Sequence, residues 1–146
     1  MANEVVITTL SAVTVASSGA QTASNSFATA GTFSASAHSG YTGSDLVFTG
    51  TMNGAVSSAS NFFSVYARPL DIDSTNDAPA PGSSFTGGFV GALLIAGSAA
   101  SGAQTAILQD VPNSWANVEF VIQNQTNAQL NAGWTLKAVP KTVKPL

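Results

Sequence analysis

The densest run of ionisable side chains is Asp71-Ile-Asp-Ser-Thr-Asn-Asp77, three carboxylates within seven residues that begin just after Arg68. Oxygen ligands at alternate positions, as Asp71 and Asp73 provide, suit a hard cation such as Ca2+. The rest of the run departs from the calcium-loop pattern: its fifth position is Thr75, its sixth is Asn76 where a glycine makes the sharp turn, and no bidentate glutamate closes it. Aspartates in such runs also accept hydrogen bonds from nearby backbone N–H groups, making Asx turns, and one or two of these can pair with Arg68 at the base of the loop. Asp71, Asp73 and Asp77 are thus expected to shape a polar loop. They are the candidate ligands if a cation binds, and no resident metal or cofactor is expected.

Catalytic groupings have less support. A Ser-His-Asp triad would have to use His38, the one histidine, which stands in Ser36-Ala-His-Ser-Gly40, and no G-x-S-x-G nucleophile turn occurs. The sequence has no cysteine, which removes thiol nucleophiles and thiolate metal sites. Glycoside hydrolysis needs two carboxylates flanking a cleft, yet the glutamates are Glu4, near the start, and Glu119, inside an alternating run. Neither phosphate-cradling glycine pattern is present, and Gly87-Gly88 adjoins an apolar stretch. No enzymatic activity is expected. Asn124-Gln-Thr126 matches a glycosylation acceptor, which matters only in a secreted chain. Trp115 and Trp134 could stack on sugars, but large aromatics flanking strands more commonly anchor a core or an interface.

A length of 146 residues suits one domain, 1–146. A chain of that size buries roughly two-thirds of its unfolded surface and needs no disulfide. Only 8% of residues are charged, against about 25% in an ordinary soluble domain, so Ser, Thr, Asn, Gln and Gly must supply the wetted surface. With 45% hydrophobic residues arranged in runs, the sequence is not that of a disordered chain. Four Lys/Arg can neutralise few phosphates, which argues against nucleic acid as a partner. The most apolar window, Phe89 to Gly97, is too short to span a bilayer, which takes about 20 residues, so no membrane partner is expected. Met-Ala-Asn-Glu lacks the positive start of a secretory signal, and none is expected. Lys137, Lys141 and Lys144 fall in the last ten residues, leaving a charge of -6 before them and +3 in the tail. Such polarity suits a basic tail that meets an acidic neighbour, and equally a solvated terminus in which Pro140 and Pro145 prevent helix.

The elements that must carry these residues read as strands. Val5–Thr9 and Ala12–Val15 are rich in β-branched residues, and further runs lie at Leu46–Met52, Phe62–Arg68, Phe85–Ile95, Thr105–Gln109, Asn117–Gln123 and Trp134–Val139. Alternation puts Phe63, Val65 and Ala67 on one face against Phe62, Ser64, Tyr66 and Arg68, and groups Val118, Phe120 and Ile122. Asn53-Gly54 suits a tight hairpin, Pro69 should limit pairing, and Asp71–Ser84 reads as a long connection. Ser17 to Gly40, a Ser/Ala/Thr/Gly mixture with Phe27 and Phe33 as its large anchors, reads as a loop, a weak edge strand or an arm. One helical turn is conceivable at Gly97–Gly102. The sum predicts an all-β fold, an antiparallel β-sandwich or jelly roll of about eight strands, with residues 1–40 as an arm or edge element ordered by a neighbour.

Two stretches carry a resemblance. Tyr66-Ala-Arg-Pro-Leu-Asp-Ile-Asp-Ser-Thr-Asn-Asp-Ala-Pro-Ala-Pro81 is one; Val118-Glu-Phe-Val-Ile-Gln-Asn-Gln-Thr-Asn127 followed by Ala132-Gly-Trp-Thr-Leu-Lys-Ala-Val-Pro-Lys-Thr-Val143 is the other. In both, roughly the C-terminal half resembles small virion structural proteins of tailed bacteriophages. The resemblance implies a β-sandwich particle component: a capsid decoration (cement) protein, made in the host cytoplasm, that sits on the capsid surface of the virion as a homotrimer against the major capsid protein. It supplies no catalytic residues. Such a protein needs no active site, and its many lattice copies allow each contact to be weak. Trp115, Trp134, Lys137, Lys141 and Lys144 are the candidate interface residues. Two rivals stand beside it: a tail- or head-fibre domain that grips a host glycan with Trp115 or Trp134 and the Asp71–Asp77 loop, and a calcium-dependent hydrolase.

Overall fold

Side chains that alternate between apolar and polar need a sheet with one covered face, and the chain builds two such sheets that cover each other. The computed structural model describes residues 5–34, 36–38, 40–57, 59–73, 75–96, 102–113 and 115–145. Among them are nine strands: β1 (Val5–Thr9), β2 (Val13–Gly19), β3 (Phe27–Ser34), β4 (Gly43–Thr51), β5 (Phe62–Leu70), β6 (Phe89–Leu94), β7 (Ala103–Pro112), β8 (Asn117–Asn124) and β9 (Trp134–Pro145). A single turn of 3-10 helix, Ser36–His38, follows β3. The conceivable helical turn at Gly97–Gly102 lies, up to Ser101, outside the described residues.

The first sheet runs β1-β9-β4-β7 with β2 also on β9, and the second runs β3-β8-β5-β6; every pairing is antiparallel. Both β1 and β2 lie on the same side of β9, against its second and first halves, so together they form one edge strand interrupted at residues 10–12. Counted that way there are eight strands. The first then pairs with the last, the second with the seventh, the third with the sixth and the fourth with the fifth, which is the jelly-roll arrangement.

Pro140 accounts for the interruption. Its carbonyl accepts Leu10 N–H, so its own N–H-less nitrogen faces the same side, at the gap between β1 and β2, and the ladder to β4 loses nothing. Lys137 and Lys141 of the tail therefore stand in an interior stretch of the first sheet, residues 135–141, with β4 on one side and β2 or β1 on the other, and the residues beyond pair with β1.

The core lies between the sheets. Phe63, Val65 and Ala67 of β5 and Val118, Phe120 and Ile122 of β8 point inward as their alternation requires, and meet Leu46, Phe48, Leu136 and Ala138 from the first sheet. Phe48 packs its ring 4.9 Å from Phe63 across the sandwich and 6.1 Å from Trp134 beside it. Trp134 is 1% exposed, with Nε1 donating to Ala20 O at 2.8 Å. It is a core anchor, which takes it out of reach of a sugar or a partner.

Ser17–Gly40 carries edge strands: β2 and β3 form the adjacent edges of the two sheets, held by ladders to β9 and β8 within the chain. Asn53-Gly54, expected to suit a tight hairpin, closes none, because β4 and β5 belong to opposite sheets. Pro69 limits pairing on one side: the ladder to β6 ends at Tyr66 while that to β8 runs on to Leu70, and the Pro69 carbonyl accepts Ala78 N–H, so its missing donor faces the long connection.

Gly19 lies under the Trp134 indole, and an added Cβ would fall inside the ring. Gly19→Ala should cost about 1–3 kcal/mol through overpacking, read as a lower urea midpoint with unchanged slope. An unchanged midpoint would show that the indole has room to move.

Candidate functional site

The connection that begins at Asp71 leaves β5 at the end of the second sheet where β3 ends and β8 begins. The carboxylates of Asp73 and Asp77 turn toward their own loop. Asp77 accepts Asp71 N–H at 3.0 Å and pairs with Arg68 Nη2 at 3.4 Å. Asp73 accepts Thr75 N–H at 3.1 Å, Asn76 N–H at 2.7 Å and Asn76 Nδ2 at 2.6 Å. The backbone N–H of Asn76 is the chief cause that holds the Asp73 carboxyl below its ordinary value of 3.8, with the Asn76 side chain next. These are Asx-turn contacts, and among the described residues no three His, Asp or Glu side chains gather as metal ligands would.

The remaining charges are absorbed in the same way. Arg68 donates Nε to Ala78 O at 2.6 Å and Nη1 to Glu119 at 3.0 Å, so one guanidinium ties the long connection to both β5 and β8. Lys141 reaches Asp45 at 2.6 Å and Asp110 at 2.8 Å. Hydrogen bonds to Asp110, and then to Asp45, raise its pKa. The ladder bulges there: Gln109 and Asp110 together oppose Asp45, Asp110 adopts φ 59°, and its N–H donates to Asp45. Lys141, expected at an interface, is thus occupied within its own chain. Lys137 points outward from the same strand and is exposed. The Lys144 side chain lies outside the described residues.

His38 has Nδ1 2.8 Å from Ser34 O and stacks on Phe33 at 5.2 Å, as a turn histidine does. Asn124 is fully buried. Its amide donates to Thr22 O and Ala128 O, and its carbonyl accepts Thr126 N–H, pinning residues 125–133 to the 20–26 connection. A glycan could not reach it in the folded chain. Trp115, 41% exposed, precedes β8 at the end from which the Asp71–Asp77 loop leaves β5.

One surface feature emerges only from the sheet order. On the outer face of the second sheet Phe62, Tyr66, Phe89, Leu94, Phe27 and Val121 stand together. Tyr66 is buried although it faces away from the core, because Phe27 and Phe89 flank it at 5.8 Å on either side and its hydroxyl donates to Gln123 at 2.9 Å. Phe89 and Leu94 remain 57% and 67% exposed. The outer face of the first sheet differs. There Thr49 meets Thr135 and Thr105 across the strands, a shallow hollow of about 260 Å3 is lined by small and hydroxyl residues, and the exposed Ile7 and Ile107 stand on separate outlying strands.

No protein-family profile, curated protein or solved structure matches the chain at a significant level. Among the described residues no helix is long and apolar enough to cross a membrane.

Because folding lowers the Asp73 pKa, that group adds stability above pH 3.8, and the contribution is lost as pH falls through the lowered value. Asp73→Asn keeps an acceptor oxygen but removes the titration. In urea unfolding the variant should be less stable than the parent at pH 7, with the gap closing toward pH 2. A gap that stays constant would place the carboxylate's role elsewhere.

Proposed function

We propose that this chain is a non-enzymatic virion structural protein, a capsid decoration subunit that assembles as a homotrimer on the shell and braces the major capsid protein. The observation that carries this is the disposition of its reactive side chains. Arg68, Lys141, Asp45, Asp73, Asp77 and Glu119 are spent on the chain's own loops and ladders, while on the outer face of the second sheet Phe89 and Leu94 stay exposed, as residues that contact another protein do. The jelly roll adds support by analogy, since viral capsid domains use it, as do lectins and cupins. A neutral Ser/Thr surface and weak individual contacts suit a subunit repeated many times on a lattice.

Trp115 is the residue that favours the second reading, a fibre domain that grips a host glycan. It is exposed at the end of the sandwich from which the polar loop leaves β5. Trp134, buried, can no longer serve there.

Purified chain should co-sediment with empty capsids of its phage, and particles lacking it should break at lower temperature or in milder denaturant than complete ones. Binding to a glycan array that Trp115→Ala abolishes, without capsid binding, would replace decoration with the fibre reading.

A further inference from the structure

We infer that the closed sandwich offers no cleavable bond to trypsin-type proteases, which cut after lysine or arginine, so that such cleavage passes only through the opening of β9. The four basic residues are Arg68, Lys137, Lys141 and Lys144, and all stand on strands, Arg68 on β5 and the lysines on β9. The connections, where nicking of folded proteins concentrates, carry none.

Two of the four bonds are closed by covalent structure. Arg68 precedes Pro69 and Lys144 precedes Pro145. Trypsin-type enzymes do not hydrolyse a bond whose leaving nitrogen belongs to proline, since the ring fixes φ and removes the N–H. The other two are closed by the sheet. A protease takes its substrate as an extended strand laid along its own backbone, which needs a free edge. Lys137 has none, lying between Val47 of β4 and Thr14 of β2, and the fully buried Ala138 lies between Leu46 and Val13. Lys141 lies between Gly43 and Thr9, and its carbonyl, the one to be attacked, accepts Thr42 N–H at 3.1 Å. Its side chain is withheld as well, because the cation that a specificity pocket reads is already paired with Asp45 and Asp110. Lys137 keeps an exposed side chain, but its bond cannot reach an active site while both ladders hold. Freeing β9 means withdrawing Trp134, Leu136 and Ala138 from the core, an opening close to unfolding of the whole sandwich.

The inference is independent of the capsid. The full chain is given short pulses of trypsin across a urea series, with intact mass read by mass spectrometry beside circular dichroism. Without urea the parent should be cut at least ~1,000-fold more slowly than the unfolded chain. Cutting at Lys137 and Lys141 should set in at the dichroism midpoint, and Gly19→Ala should lower both together. Ser83→Lys, which places a target in the exposed turn between Gly82 and Phe85, should be cut without urea into 1–83 and 84–146. Release of residues 138–146 or 142–146 from the folded parent, or cutting well below the dichroism midpoint, overturns the inference. A Ser83→Lys variant as resistant as the parent overturns it too, because the placement of the basic residues would not be what protects the chain.

Discussion

The fold depends on β9 being bonded along both sides. Its inward residues Trp134, Leu136 and Ala138 fill the middle of the core, one ladder joins it to β4, and the other holds β1 and β2, which come from the opposite end of the sequence. Closing so long a loop costs entropy before any contact is made, so the pairing must be returned by burial and by ladder bonds formed together. The position of Pro140 illustrates the constraint. A proline in an interior strand is tolerated because its N–H-less side coincides with the break in the paired edge.

A chain with so few charges arranges them economically. Arg68 joins the long connection to two strands of the second sheet, and Lys141 joins β9 to the β4–β7 bulge in the first. Each cation faces two carboxylates, so neither leaves a strong field at the surface. What remains outside is largely hydroxyl and amide surface, with exposed aliphatic residues on both outer faces, Ile7 and Ile107 on the first sheet and Leu94 on the second, where Phe89 joins it.

Much of this was legible in the sequence wherever one face of a strand is strongly apolar. Phe63, Val65 and Ala67, and likewise Val118, Phe120 and Ile122, take the inward positions because a period of two leaves no other choice. The eight-strand count followed from such runs. Ser17–Gly40 read as loop, edge strand or arm alike because β2 and β3 are edge strands rich there in Ser, Ala, Thr and Gly, whose pairing is imposed by β9 and β8 rather than by their own propensity. Asn53-Gly54 misled because turn chemistry specifies a reversal but not the sheet the next strand enters. At the candidate site the Asp71–Asp77 loop was readable as Asx turns. Trp134 and Lys141 were not placeable, since burial and an intramolecular ion pair depend on strands far away in sequence. The apolar outer face needed Phe27 and Phe89 beside Tyr66, a juxtaposition that only the sheet order supplies.

An image of the native assembly tests the central claim most directly, namely that the molecule acts by fit within a larger body. A subnanometre electron cryomicroscopy reconstruction of the particle should show jelly rolls in symmetric clusters on the shell. Jelly rolls standing singly, or a particle with no density for this chain, would contradict it.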